Sequence, residues 1–480
     1  MDRGEPGWLS QGLEIWTYYW PAVAAVITVL MALAASVHLL FSKRDPRAAA
    51  AWMGLVWLLP VLGPVLYLIL GINRIRRRAR QLTGGDTERI TGWRAAAEPA
   101  PANSNLHSLA QLVGDLTALP LTGGNQIKAL ASRDALAEML NAIHAARDTI
   151  YFSTYIFGND HAGRVFVEAL RMACERGVRV RVLVDGVGSW YSLPTIMRRL
   201  DEARIPAARF LYSLAPWRMP YLNLRNHRKL LIIDQTEGFT GGMNIRGSYI
   251  GDMPTAFDTH FRVQGPVVGH LLRTFVADWQ FTTGEVLDHS YRGRATVGNV
   301  LARGITTGPD ADLDKRRLIL LAAIGRAERE IRIVTPYFVP DQSIMTALNI
   351  ARLRGVHVQL VLPERNNLRL VQWASMHLMR WALADRLDVR LSPPPFDHSK
   401  VMTVDGCWAM LGSGNWDARS MRLNFEFDVE CYSEELVARL NGDIDRRLTL
   451  AMRLDSDRLD NLPGWKRVRN ALAYLLEPYL

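Results

Sequence analysis

The chain has 480 residues, 49% of them apolar, enough for two or three domains with cores of their own. Its formal charge of +10 suits an anionic partner, and nucleic acid and acidic lipid headgroups both qualify. Cys174, Cys407 and Cys431 are widely separated and form no Cys-x-x-Cys. That spacing argues against a disulfide framework and reads as buried free thiols in a reducing compartment.

The N-terminus favours lipid. Ile15 to Phe41 is apolar apart from small polar residues and His38, and Ala48 to Ile72 carries no charge. Each run exceeds the roughly 20 residues that cross a bilayer core of about 30 Å. Trp16, Tyr18, Tyr19 and Trp20 make an aromatic belt at the start of the first run. A cleaved signal peptide fails on length, on the weak basic start and on the second apolar run close behind. The pattern predicts a membrane hairpin over residues 1–80, with segments at about 15–41 and 48–72. His38 is expected to snorkel. Lys43, Arg44 and Arg47 separate the runs, and Arg74, Arg76, Arg77, Arg78 and Arg80 follow them. That bias favours both ends in the cytoplasm. Pro60 and Pro64 leave a kinked or re-entrant second segment open.

Residues 81–123, centred on Glu98-Pro99-Ala100-Pro101-Ala102-Asn103, read as a linker or loosely packed region. Beyond it the chain repeats itself. A helix from Asp134 to Arg147, a strand from Thr149 to Phe157, a helix reaching Arg176 and a strand from Gly177 to Val184 follow in order. The second half runs the same way: a helix to Arg329, a strand from Ile331 to Val339, a helix to Arg354 and a strand from Gly355 to Leu362. Strand–helix–strand units closed by Arg-Gly-Val predict two α/β lobes, 124–300 and 301–480. His357, inside a strand, is expected to be structural.

Each lobe ends in a shared pattern. His227-Arg228-Lys229 leads through Leu230–Ile233 to Asp234 and, after six intervening residues, to Gly241-Gly242-Met243-Asn244. His398-Ser399-Lys400 leads through Val401–Val404 to Asp405 and, again after six intervening residues, to Gly412-Ser413-Gly414-Asn415. One copy reads as a strand with a surface His and Lys; two copies with every gap preserved do not. The apolar residues after each His form a strand, so His and Lys share a face. Asp234 and Asp405, of opposite parity, read as turn or structural residues.

Two lysines and two asparagine amides, Asn244 and Asn415, are the donor types that stabilise charge growing on a phosphodiester without a metal. One neutral imidazole attacks phosphorus while a second, protonated one serves the leaving alkoxide. Each then needs an acceptor on its far nitrogen. The candidates are Asp258, fourteen residues after Asn244, and Glu426, eleven after Asn415.

These residues resemble the phospholipase D superfamily, and more narrowly its bacterial cardiolipin synthases. The likeness rests on Asn223 to Lys229, Gly241 to Ile245, Asp258-Thr259-His260, Gly412 to Ser420 and Leu423 to Glu426. It implies a fold of two similar α/β lobes sharing one active site, here preceded by a pair of transmembrane helices. It implies catalytic motifs His227, Lys229, Asp234 and His398, Lys400, Asp405, with no metal or cofactor. It also implies a phosphatidyl-histidine, usually on the first-motif His; the residues alone do not break that symmetry. The chain departs from the family pattern at Ser392-Pro393-Pro394-Pro395-Phe396-Asp397, at Ser375 to Trp381, and at Phe257, where Arg is common.

The expected function is phosphatidyl transfer between two phosphatidylglycerol molecules, at a bacterial inner membrane and without nucleic acid. The alternatives are a hydrolase releasing phosphatidate, a transferase using another alcohol, a membrane-tethered nuclease and an inert scaffold. Two further stretches bear on lipid. Phe210, Tyr212, Trp217, Met219 and Tyr221 alternate with Arg209, Arg218 and Arg225, as an aromatic, basic rim or as ordinary packing. Trp465-Lys466-Arg467-Val468-Arg469 with Ala471 to Leu476 reads as an interfacial helix or as a terminal helix docked on the lobe.

Overall fold

The computed structural model describes residues 8–42, 46–71, 106–212, 224–250, 253–287, 296–309, 312 and 314–477. The N-terminal helices form one compact unit, and the described residues from Leu106 onward belong to another.

In the first unit the helix Trp8–Ser42 includes a span, Trp16–Ser42, long and apolar enough to cross a bilayer. The second apolar run departs from expectation. It is a 13-residue helix, Pro46–Leu58, then a turn at Pro60, the short helix Leu62–Leu66 and one π turn, Tyr67–Gly71. Thirteen residues rise about 20 Å, short of a bilayer core of about 30 Å. Proline, which has no N–H to give a helix, is the sequence reason for the break. Ala32, Ala35 and Leu39 pack against Trp52, Val56 and Tyr67. His38 is exposed, and its Nδ1 lies 2.7 Å from the Tyr67 hydroxyl.

Among the described residues the second unit is built on one 16-stranded sheet, in which the two-residue strands Arg225–Asn226 and Met452–Arg453 join fourteen others. The first lobe supplies β1 (Thr122–Ala131), β2 (Thr149–Thr154), β3 (Arg179–Asp185), β4 (Ala207–Phe210), β5 (Leu230–Ile233), β6 (Glu237–Gly241) and β7 (Thr259–Gln264). The second supplies β8 (Val300–Thr307), β9 (Glu330–Val334), β10 (His357–Pro363), β11 (Asp388–Ser392), β12 (Val401–Val404), β13 (Trp408–Gly412) and β14 (Asn424–Tyr432). Their order, 4-3-2-5-6-7-1-8-14-13-12-9-10-11, reads the same from either end once seven is added to each first-lobe number. The strands β2-β3-β4 and β9-β10-β11 are parallel, as the strand–helix–strand repeat predicts, and the motif strands β5 and β12 add antiparallel. Helices Val268–Thr283 and Glu434–Leu450 help fill a central apolar cluster that draws on both lobes, including Phe261, Trp279, Phe427 and Leu436.

The repeated Arg-Gly-Val has a physical reason. Asp160 and Asp341 cap the helices His161–Glu175 and Gln342–Leu353, accepting from Gly163 N and Ile344 N, each 3.1 Å away. Gly177 and Gly355 then close those helices at φ +88° and +94°, a conformation that costs other residues more. The arginines reach back to the preceding helix: Arg176 donates to Ile143 O, and Arg354 to Ile324 O and Ala327 O. Both satisfy carbonyls that a helix end leaves open.

The expected linker is partly wrong. Residues 106–121 belong to the second lobe: helix His107–Thr117 buries Leu109, Ala110 and Val113 in its core, and Arg303 donates to Ala110 O at 2.8 Å. The spacing of Leu106, Leu109, Ala110 and Val113 is that of one helix face, outweighed in the sequence reading by the Pro-Ala stretch before it. The centre of the expected linker lies outside the described residues, as do Trp217, Met219 and Tyr221. Phe210 is core, whereas Tyr212 packs edge-on against Trp190 under Arg209.

Candidate active site

Each motif strand is led in by a short strand that crosses to the other lobe. Arg225–Asn226 pairs parallel with Asn424–Phe425, and Phe396–Asp397 pairs parallel with Ala256–Phe257. The backbone N–H groups of His227 and His398 continue these ladders, donating to Phe425 O at 2.9 Å and Phe257 O at 2.7 Å. The next residue on each accepting strand is a candidate orienting carboxylate. His227 Nδ1 therefore lies 2.9 Å from Glu426 Oε2, and His398 Nδ1 lies 3.0 Å from Asp258 Oδ2. Each histidine takes its carboxylate from the opposite lobe.

Both histidines, both lysines and both carboxylates are buried. The motifs share one centre electrostatically: Lys229 and Lys400 each bear on both imidazoles. Burial, with the two cations, pushes His227 down to about 4 and His398 well below its usual range, so both imidazoles stay uncharged on their own. Burial also lowers Lys229 to about 7 and Lys400 to about 8, against the pull of Glu426 and Asp258. Each ammonium group donates to the backbone carbonyl of its own motif histidine, and an arriving phosphodiester would favour its charged form.

The two histidine–carboxylate pairs differ, and the difference is written in the sequence. Glu426 accepts from Ser413 Oγ at 2.6 Å, Ser420 Oγ at 2.8 Å and Asn424 Nδ2 at 3.1 Å. Burial raises its pKa, but His227, Lys229 and these donors outweigh it and hold Glu426 at about 2. Counted from the motif asparagine, Gly242 and Tyr249 stand where Ser413 and Ser420 do, and counted back from the carboxylate, Ala256 stands where Asn424 does. Gly242 and Ala256 have no side-chain donor, and no hydrogen bond joins the Tyr249 hydroxyl to Asp258. Asp258 Oδ1 has no partner, and burial pushes the carboxyl up to about 8 despite Lys400. Gly242 is also required sterically: a Cβ there would lie 2.5 Å from Asp258 Oδ2 and 2.8 Å from Lys400 Nζ.

Asn244 and Asn415 are buried in the loops that carry Gly242 and Ser413. Asn244 Oδ1 accepts from Ile156 N at 3.1 Å, which turns its amide donors elsewhere, and Asn415 Oδ1 has no partner. The motif aspartates are not site groups. Asp234 accepts the backbone N–H groups of Arg147, Asp148 and Thr149, and Asp405 those of Glu328, Arg329 and Glu330. They tie the far end of each motif strand to the loop entering its neighbour. Including them in the catalytic set on the strength of the motif is corrected by this geometry.

Sequence reasoning missed several groups. Tyr155 and Tyr337 set their rings edge-on to His227 and His398, at 5.1 and 6.0 Å. They follow Thr154 and Thr335 as Thr-Tyr and Thr-Pro-Tyr, one residue out of step, which hides them from a spacing search. Each motif entry is also held by an ion pair of reversed sense, Arg228 on Asp278, which is buried, and Arg447 on Asp397, which is partly buried. Arg447 further lies over the Phe257 ring.

A family profile described as "Cardiolipin synthase, PLD-like domain" matches residues 139–279 and 320–448. The chain belongs to this family. A second profile, "Phospholipase_D-nuclease N-terminal", matches residues 30–71. The cardiolipin synthase of Alkalihalophilus pseudofirmus is 30% identical over 98% of this chain and 96% of its own length. That of Halalkalibacterium halodurans is 31% identical over 98% and 97%. The major cardiolipin synthase ClsA of Bacillus subtilis is 30% identical over 94% and 98%. Among solved structures, a phosphatidylserine synthase of Haemophilus influenzae superposes with a TM-score of 0.60 at 14% identity, covering 78% of this chain and all of that one; it shares the fold.

Proposed function

We propose that the protein is a cardiolipin synthase that moves a phosphatidyl group from one phosphatidylglycerol to the hydroxyl of another. The observation that carries the reading is a pair of histidine–carboxylate dyads, each joining the two lobes, with two buried lysines that act on both imidazoles.

The unequal dyads support a division of labour. Glu426, ionised and held by three donors, fixes the Nδ1–H tautomer of His227 and leaves the Nε2 lone pair for attack on phosphorus. The His398–Asp258 pair retains one proton at neutral pH, and that proton goes to the departing glycerol oxygen as its bond to phosphorus breaks. The phosphatidyl group is then held on His227. The second phosphatidylglycerol gives its hydroxyl proton to the emptied His398–Asp258 pair. Its oxygen bonds to phosphorus, the phosphorus–nitrogen bond breaks, and cardiolipin leaves. Lys229, Lys400 and the amides of Asn244 and Asn415 face the charge on the phosphoryl oxygens; one such donor is typically worth about 3–4 kcal/mol of barrier.

The spanning-length helix and the N-terminal profile support membrane attachment. The finer reading is a hairpin in the bacterial inner membrane with cytoplasmic lobes, the Arg74 to Arg80 cluster marking the inner side.

Purified protein in mixed micelles receives phosphatidylglycerol labelled in its headgroup glycerol. Cardiolipin and free glycerol in equal amounts, absent with His227→Ala, are expected. Phosphatidate alone would make the protein a hydrolase and sink the reading.

A further inference from the structure

The C-terminal helix Gly464–Tyr474 is docked on the second lobe, yet one apolar face is left outside. Asn470 and Ala473 are buried against the helix Arg369–Ala384, and Tyr474 packs on His377 and Trp381. Trp465, Val468, Leu472 and Leu475 are 63%, 60%, 59% and 72% exposed. At about 100° per residue they fall on a single arc, turned away from the docked face. A soluble surface would carry polar groups there. The only ionised residues between Asn461 and Leu476 are Lys466, Arg467 and Arg469. Arg469 lies over the rings of Trp373 and Trp465, and Lys466 over Trp465, so their stems border the arc while their charges flank it.

The helix is also near the chemistry. Ala473 shares an apolar cluster with Tyr337, Val339, Val371 and Ala374, and the Tyr337 ring is the one beside His398. Leu368 and Leu370, at the start of the supporting helix, are exposed too, next to Asn367, which accepts the Tyr337 hydroxyl at 2.8 Å.

We propose that this helix docks the catalytic unit on an anionic bilayer, its Trp465–Leu475 face in the acyl boundary and its cations among lipid phosphates. The choice of lipid as occupant, over a second copy of the chain, rests on the phosphatidyl-transfer reading and on the acid-free cationic flank. An apolar arc with cationic borders beside the second histidine would hold that side of the site at the level where phosphatidyl headgroups lie.

The test uses the full chain in proteoliposomes of phosphatidylglycerol and phosphatidylethanolamine, with Cys174 and Cys407 replaced by alanine. An environment-sensitive fluorophore is placed at Leu472→Cys, at Val468→Cys as an independent position, and at Met172→Cys as a control on a first-lobe helix. The expected result is quenching of the 468 and 472 labels by spin-labelled acyl chains and shielding from aqueous iodide, with the reverse at 172. Lipid quenching should fall about two-fold or more when phosphatidylcholine replaces phosphatidylglycerol. Iodide quenching at 468 and 472 equal to that at 172 overturns the proposal. Disulfide linkage between two 472 cysteines, without lipid quenching, also overturns it and makes the occupant a second copy. No turnover is needed, so a wrong reaction assignment and a wrong docking face give different results.

Discussion

If the dyads have separate roles, replacing their carboxylates has separable consequences. Consider Glu426→Gln and Asp258→Asn, each close in shape to the native side chain. Attack through His227 Nε2 leaves an imidazolium whose Nδ1 is 2.9 Å from Glu426. At an effective dielectric near 20 that contact is worth about 5–6 kcal/mol, and Gln keeps part of it as a hydrogen bond. The expected loss is about 3–5 kcal/mol, roughly 10²- to 10⁴-fold in kcat. It should persist for any leaving group, because nucleophilic attack itself is impaired. Asp258→Asn instead removes the partner that lets the His398 pair keep a proton. Transfer from phosphatidylglycerol should fall by a similar factor, since glycerol departs as an alkoxide without it. With a phosphatidyl ester of an acidic phenol, which leaves as a stable anion, the first step needs no proton. Asp258→Asn and His398→Ala should then release phenol at close to the wild-type initial rate, while Glu426→Gln and His227→Ala should not. The assay is rapid-quench measurement of the phenol burst. Rescue of Glu426→Gln but not Asp258→Asn would reverse the assignment, and rescue of neither would refute the argument from unequal dyads.

Three further outcomes follow from the site. The pH profile of kcat/KM should be bell-shaped: below about 4 His227 takes a proton and loses its lone pair, and on the alkaline side Lys229 at about 7, then Lys400 and the His398–Asp258 pair near 8, lose their protons. A pH titration of initial rates checks this, and a profile rising steadily through pH 9 would contradict it. Gly242→Ala should lower kcat more than ten-fold and lower the melting temperature with it, because its methyl meets the His398 backbone oxygen as well as Asp258 and Lys400. Asp234→Asn should spare the chemistry: it weakens three backbone hydrogen bonds away from the histidines, costs about 1–3 kcal/mol of stability and leaves kcat within about two-fold below the melting transition.

What the sequence disclosed depended on how local the cause was. The motif strands, the Asp-capped helices and the Gly ends are decided within a few residues, so the repeat was readable by spacing alone. The pairing of His227 with Glu426, 199 positions away, was not. It follows from two-residue strands that cross between lobes, too short to leave a periodic signal. The two carboxylates were visible as candidates, but not which histidine each serves. The break after Leu58 was flagged by Pro60, whereas composition gave Ala48 to Ile72 as one uncharged run. Helix His107–Thr117 was lost to the linker because the Pro-Ala stretch before it was the louder feature, although its apolar spacing was present.

The crossing of carboxylates explains why the motif is found twice rather than once. A single lobe would hold a histidine and a lysine just ahead of β5 or β12 with no acceptor behind the imidazole, since its own carboxylate faces the other lobe. Each dyad exists only once both lobes have folded and the short parallel ladders Asn226–Phe425 and Asp397–Phe257 have formed. Once two copies are obligatory, they are free to diverge, and the divergence is concentrated on the carboxylates. Ser413, Ser420 and Asn424 hold one ionised; Gly242, Tyr249 and Ala256 leave the other short of donors. Under the proposed roles, a near-symmetric scaffold would then hold one pair that presents a lone pair and one that presents a proton, which is what successive attack and protonation on one phosphorus require.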